Sequence, residues 1–354
     1  MSIIKKPFGQ TKQGEPISTY TMTNASGASI TISDFGGIIT EIWMPDRNGV
    51  LADINLGFDD AAPYVAHESG SMGALIGRYG NRIGKGHLEI DGVTYQLNLN
   101  NGNNHLHGGP EGFGVRMWNV EPIELADKDQ LIMTLDSADG DENYPGNLKV
   151  KVTYTFDSDN NLTMRYQATT DKTTVCNMTN HAYFNLAGHN SGTVKNQLLT
   201  IYGDAITKVD GELIPTGEHM PVAGTPFDLR EPTPIGKGLD AIKTCPQMDL
   251  AGGYDHNYVL RKGSAFGIAA RAEDPVSGRV LEVLTDEPGV QFYSGCQTDF
   301  PNGKGGTHYV QYSGFCLETQ HFPDSPNNLR WPTTLLKPGE VYDTVTIYAF
   351  KVNK

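Results

Sequence analysis

Apolar and polar residues alternate along this chain in segment after segment. Leu148, Val150, Val152, Tyr154 and Phe156 alternate with polar neighbours, a turn-like stretch from Asp157 to Asn161 follows, and Leu162, Met164, Tyr166 and Ala168 alternate again. That period of two predicts a hairpin with one buried face. Leu88 and Ile90, then Asp91-Gly92, then Val93, Tyr95 and Leu97 repeat the signal around a two-residue loop that accepts positive φ. Ile30 and Ile32, then Leu131, Met133 and Leu135, and finally Val345, Ile347 and Ala349 alternate likewise, so strands extend from near the first residue to near the last. Helical periodicity is weak; the best candidate, Ala61 to Ala66, is short and holds Pro63.

The 41 glycines and 20 prolines are spread along the chain, as many short strands joined by turns require. Antiparallel sheets packed face to face accommodate such a pattern. No fixed-period repeat, low-complexity tract or composition break divides the chain, which predicts a single all-β domain over residues 1–354.

The net charge of −14 argues against a nucleic-acid partner, which would need a basic face. With 38% hydrophobic and 19% charged residues, the chain is predicted to be globular. No run approaches the ~18 apolar residues of a membrane helix. The opening MSIIKKPFGQTKQGEP turns polar too soon for a secretory signal, so the expected compartment is cytoplasmic, with no membrane contact. Cys176, Cys245, Cys296 and Cys316 stand far apart and are expected to be reduced and mostly buried.

Candidate chemistry gathers where polar and aromatic residues crowd at strand ends: Asn81-Arg82 in GRYGNRIGKG, His107 in NNHLHGGPEGFG, His181 in NMTNHAYFNLAG, Asp255 in GGYDHNYVL, Glu318 in GFCLETQHFPDSPNN, and, more weakly, Gln291 in GVQFYSG. Histidine and glutamate, with ordinary pKa values of roughly 6.5 and 4.3, supply an acid and a base near neutrality. Each residue also has a plainer reading: a hydrogen-bonded structural histidine, a surface ion pair for Arg82, a turn for Asp255. Glu318 follows Phe315, Cys316 and Leu317, where an idle carboxylate would be costly to bury. Phosphate-cradling and dinucleotide-binding glycine motifs are lacking in any strand-to-helix setting, and His105, His107, His181, His189, His256, His308 and His321 form no metal-binding spacing. Neither a cofactor nor a metal is expected.

Taken in order, GRYGNRIGKG, LHGGPEGF, NMTNHAYFNLAG, YDHNYVL and LETQHFPDSPN resemble the aldose 1-epimerases, the galactose mutarotases, over about Asn24 to Phe350. The resemblance implies a β-supersandwich of large antiparallel sheets and a cofactor-independent isomerase that interconverts the α and β anomers of free aldoses. It makes Glu318 the general base and His181 the general acid, and it places Asn81, Arg82, His107, Asp255 and Gln291 on the sugar. The segment Leu329-Arg330-Trp331-Pro332 departs from many relatives in a loop expected beside the site, which bears on substrate preference. Oligomeric state, monomer or homodimer, and the preferred sugar are left open.

Changing an anomer moves one proton off the C1 hydroxyl and one onto the ring oxygen, so one base and one acid suffice. Activity at pH 7 then requires His181 to be held protonated, a task that falls to Glu318 across the sugar. An uncharged sugar suits the acidic chain; only Arg78, Arg82 and Arg116 lie near the first motifs to serve a phosphosugar. Two rivals use the same residues: a glycoside hydrolase with Glu318 and Asp255 as its carboxylate pair, and a sugar-binding module with no acid–base pair.

Overall fold

The computed structural model describes residues 2–353, and three antiparallel sheets carry most of its strands. A five-stranded meander runs in chain order through Ser2–Gln10, Pro16–Thr23, Ser29–Ser33, Ile39–Pro45 and Leu51–Asp53. The nine-stranded sheet takes the order Asn119–Glu124, Lys128–Ser137, Leu148–Asp157, Asn161–Thr170, Tyr342–Val352, Arg279–Thr285, Gly267–Glu273, Leu198–Ile201, Thr233–Pro234. A second five-stranded sheet is ordered Pro215–Pro221, Gly203–Val209, Asp255–Leu260, Gly289–Tyr293, Cys316–Gln320. This is the antiparallel β-supersandwich expected.

The long hairpin forms as its pattern dictates, paired from Leu148 with Thr170 to Phe156 with Leu162, and every apolar residue of its alternation is buried. Burying each such side chain contributes roughly 1.5–3 kcal/mol. Asp91 and Gly92 both take positive φ, 53° and 77°, as a two-residue turn between right-twisted strands requires. The short helix is Ala62–Val65, with Pro63 in its first turn.

One strand reverses its expected face. In Tyr342–Val352 the core side is taken by Thr346, Tyr348 and Phe350, while of the expected residues Val345 and Ile347 are only half-buried and Ala349 alone is buried. The strand lies at the middle of the nine-stranded sheet, with apolar residues on both faces, so alternation alone could not fix its phase.

That inner face supports the second five-stranded sheet. Tyr348 meets Phe184 edge-on with ring centroids 5.1 Å apart, and Thr346 Oγ1 lies 2.5 Å from Thr319 Oγ1. Strand Cys316–Gln320 is therefore buried on both sides: Leu317 and Thr319 face the large sheet, and Cys316, Glu318 and Gln320 face the other way. Cys176, Cys296 and Cys316 are buried, Cys245 is partly so, and all four are free thiols. Among the described residues no helix is long and apolar enough to cross a membrane.

Candidate active site

Two short strands, Arg82–Ile83 and His105–Leu106, pair antiparallel and bring Asn81 and His107 side by side. Both residues take positive φ, 62° and 52°. The contact is reciprocal: the His107 N–H donates to Asn81 O at 3.1 Å, and the Asn81 N–H donates to His107 Nδ1 at 3.2 Å. With Nδ1 accepting, the ring proton of neutral His107 sits on Nε2, which becomes a donor. Arg82 is held by Asn101 Oδ1, which accepts from its Nε at 3.0 Å.

His181 follows the strand Thr179–Asn180, which pairs with Leu75–Ile76. Its main chain is pinned on both sides, donating to Ala74 O at 3.0 Å and accepting from the Gly73 N–H at 2.8 Å. The imidazole stacks on Tyr183, centroids 5.0 Å apart at 17°, and meets His107 edge-on at 5.2 Å. Its Nε2 lies 3.7 Å from Glu318 Oε1, and both side chains are almost wholly buried.

Register in the second five-stranded sheet supplies the rest. Asn257, Gln291 and Glu318 form one cross-strand row, and Asp255, Tyr293 and Cys316 form the next row on the same face. Gln291 Nε2 donates to Asp255 Oδ1 at 2.6 Å, and Asp255 Oδ2 faces Arg82 at 3.9 Å. Asn81, Arg82, His107, His181, Asp255 and Glu318 all line one cavity of about 250 Å³, a volume on the scale of a small molecule. Gln291 does not line it; the expected sugar ligand stands one layer behind and orients Asp255.

Burial dominates the electrostatics. It pushes the Glu318 carboxyl well above the usual carboxylate range, with Asp255 adding to the rise and Arg82 opposing it. Burial likewise pushes His181 down to about 4, and it lowers His107 well below the ordinary imidazole value with help from His181 and Arg82. The expectation that Glu318 holds His181 protonated is thus reversed in the free site. Loss of hydration penalises both charged forms more than their mutual attraction favours them.

Ligand atoms of His107, His181 and Glu318 lie within 4.8 Å of one another, the one group of three metal-ligating side chains among the described residues. The Asn81 bond to His107 Nδ1 leaves that ring a donor at Nε2, which suits a hydroxyl or ring oxygen better than a cation. The remaining histidines are dispersed: His105 with Tyr144, His189 with Tyr309, His308 with Asp299, His321 with Glu287, and His256 against Phe227. Arg78 is buried and donates to the carbonyls of Ser137, Ala138, Pro145 and Gly146, and Arg116 pairs with Asp141. Of the three arginines near the first motifs, only Arg82 reaches the cavity.

The cavity wall also includes Tyr183, Tyr293, Thr298 and Phe300, which sequence reading did not single out. Tyr293 was within reach, two residues beyond Gln291 on one strand and so on the same face. Residues 329–332 do not line the cavity; Trp331 stacks on His219 at 5.7 Å and meets Phe322 edge-on at 5.5 Å.

The model of the family described as aldose 1-epimerase matches residues 18–349. The galactose mutarotase of Sus scrofa is 40% identical over 353 residues, covering 99% of each chain, and the aldose 1-epimerase of Escherichia coli is 37% identical over 340 residues, covering 95% of this chain and 96% of its own. Among solved structures, galactose 1-epimerase from Lactobacillus acidophilus superposes with a TM-score of 0.87 at 27% identity over the whole of both chains. An aldose epimerase homologue from C. elegans gives 0.84 at 30% identity, covering 94% of this chain and 98% of that one. A cavity that joins a histidine–glutamate pair to an arginine–aspartate pair therefore stands in a chain similar to these proteins along nearly all its length, and the chain belongs to the aldose 1-epimerase family.

Proposed function

We propose that this protein interconverts the α and β anomers of free aldoses such as galactose and glucose, with Glu318 as general base and His181 as general acid. The observation that carries the roles is the buried pair itself, His181 Nε2 and Glu318 Oε1 at 3.7 Å in one cavity. In the free site burial raises the Glu318 carboxyl and lowers His181, and both shifts favour placing a shared proton on Glu318. A hydroxyl donor on Glu318, together with Arg82, favours the ionised carboxylate, and the same proton then sits on His181. Glu318 takes the C1 hydroxyl proton while His181 gives its proton to the ring oxygen, and the C1–O5 bond opens to an aldehyde. Rotation about C1–C2 presents the other face, O5 attacks, and the protons return. Each of the two groups contributes about 10² to 10⁴ in rate.

His107, with its N–H on Nε2, and Asn81 and Arg82 hold hydroxyls and the ring oxygen. Asp255, fixed by Gln291 and facing Arg82, accepts from other hydroxyls. Both its oxygens are engaged, which suits holding better than the proton shuttling a glycoside hydrolase would ask of it. Buried Arg78 and paired Arg116 leave no cluster of guanidinium groups for a phosphosugar, which supports an unphosphorylated substrate. The chain works as one domain, monomeric or homodimeric, in cytoplasmic carbohydrate metabolism. Polarimetry on freshly dissolved α-glucose, α-galactose and maltose tests the reading: protein should speed the change in rotation for at least one, and no acceleration of any would overturn it.

A further inference from the structure

Gln320 is fully buried, yet neither atom of its carboxamide has a hydrogen-bond partner within the chain. It stands two residues beyond Glu318 on the strand Cys316–Gln320, so the two side chains leave the same face. Glu318 Oε2, equally buried, also lacks a partner, while Oε1 is turned to His181. A buried amide donor and a buried carboxylate acceptor, both unmet, thus stand as neighbours along one strand. Each is costly alone, and the cost is relieved when they meet.

The surroundings of Gln320 are closely packed. Gly289, opposite Gln320 in the ladder, carries no side chain, and a β-carbon there would come within 2.4 Å of Asn257 Oδ1. On its other side the Gln320 carboxamide rests on the loop that carries Asn81, where a β-carbon on Gly80 would lie 3.4 Å from its Oε1. The charged or titratable groups around Glu318 are His181, His107, Asp255 and Arg82 on the cavity side, with Tyr183, Tyr348 and Cys316 packed close by. None of them donates to Oε2.

We propose that Gln320 is a positioning residue for Glu318: its amide N–H turns to Oε2 when Glu318 is ionised and holds the carboxylate form through the reaction. A carboxamide suits this task because its N–H donates to the carboxylate without carrying a titratable proton of its own. The inference rests on Glu318 as the base.

The test is mutarotation kinetics of Gln320→Met and Gln320→Asn. Methionine keeps the length without a donor, and asparagine keeps the polarity but withdraws the amide. Both should lower kcat about tenfold, the scale of one hydrogen bond to a charged group, with KM within about twofold. Both should also move the alkaline limb of the pH profile upward by about one unit, because the Glu318 carboxylate has lost a donor. In a Glu318→Gln background, Gln320→Met should add no further loss. An unmoved limb in the folded variants, or a fall in kcat that follows melting temperature alone, overturns the role of Gln320. An active Glu318→Gln protein overturns the base instead.

Discussion

His181 Nε2 and Glu318 Oε1 stand 3.7 Å apart with both side chains almost wholly buried, and their segments meet in the antiparallel bridge between Phe184 and Phe315. Strand pairing with Leu75–Ile76 fixes one, and pairing with Gly289–Tyr293 fixes the other. Both side chains face one cavity, and burial moves their pKa values in opposite directions.

Glu318→Gln keeps size and hydrogen bonding but removes basicity, so catalysed mutarotation should fall by at least ~10². His181→Asn should cost a similar factor. Polarimetry at saturating sugar on variants with native melting curves checks both, and either one retaining most of its activity loses its assigned role.

The pH profile follows from the direction of the shifts. The productive state carries one proton on the pair; acid adds a second as His181, lowered to about 4, titrates, and alkali removes the shared one as Glu318, raised by burial, titrates. Relative to the ordinary values, the acidic limb therefore lies near 4, set by His181, and the alkaline limb belongs to Glu318 and lies above the usual carboxylate range. His107→Asn should slow catalysis but leave both limbs of kcat/KM in place, measured from about pH 4 upward. Loss of the acidic limb in that variant alone would exchange the two histidines.

Asp255→Asn and Arg82→Ala should raise KM more than they lower kcat, because hydroxyl positioning acts on bound sugar before and during the reaction. Gln291→Met should do the same more mildly, since it frees Asp255 Oδ1 without removing the carboxylate. Initial rates across a sugar concentration series separate the two constants. Unchanged KM in all three variants would detach these three residues from the substrate.

Arg78→Met should destabilise the fold by at least ~3 kcal/mol, because four backbone carbonyls around a buried guanidinium lose their donor. Chemical denaturation measures it. A loss below about 1 kcal/mol would mean that the loop carrying Asn81 and Arg82 does not depend on this anchor.

The sequence by itself determined the β architecture and marked the places where chemistry gathers. Alternation in Leu148–Phe156 and Leu162–Ala168 is a local consequence of strand geometry with one face buried, and it reads directly. It failed at Tyr342–Val352, where a middle strand has apolar residues on both sides and the phase disappears. The polar motifs were legible because carboxylates and imidazoles in apolar contexts need a reason. Tertiary structure decided their partnerships: that His107 keeps Nε2 as its donor because Asn81 holds Nδ1, that Gln291 stands behind Asp255 and not in the cavity, and that Arg78 is an anchor. It also set the direction in which the pKa values of the His181–Glu318 pair move. Residue type gives only the ordinary pKa values, and desolvation, which depends on everything packed around a group, moves His181 and Glu318 in opposite directions.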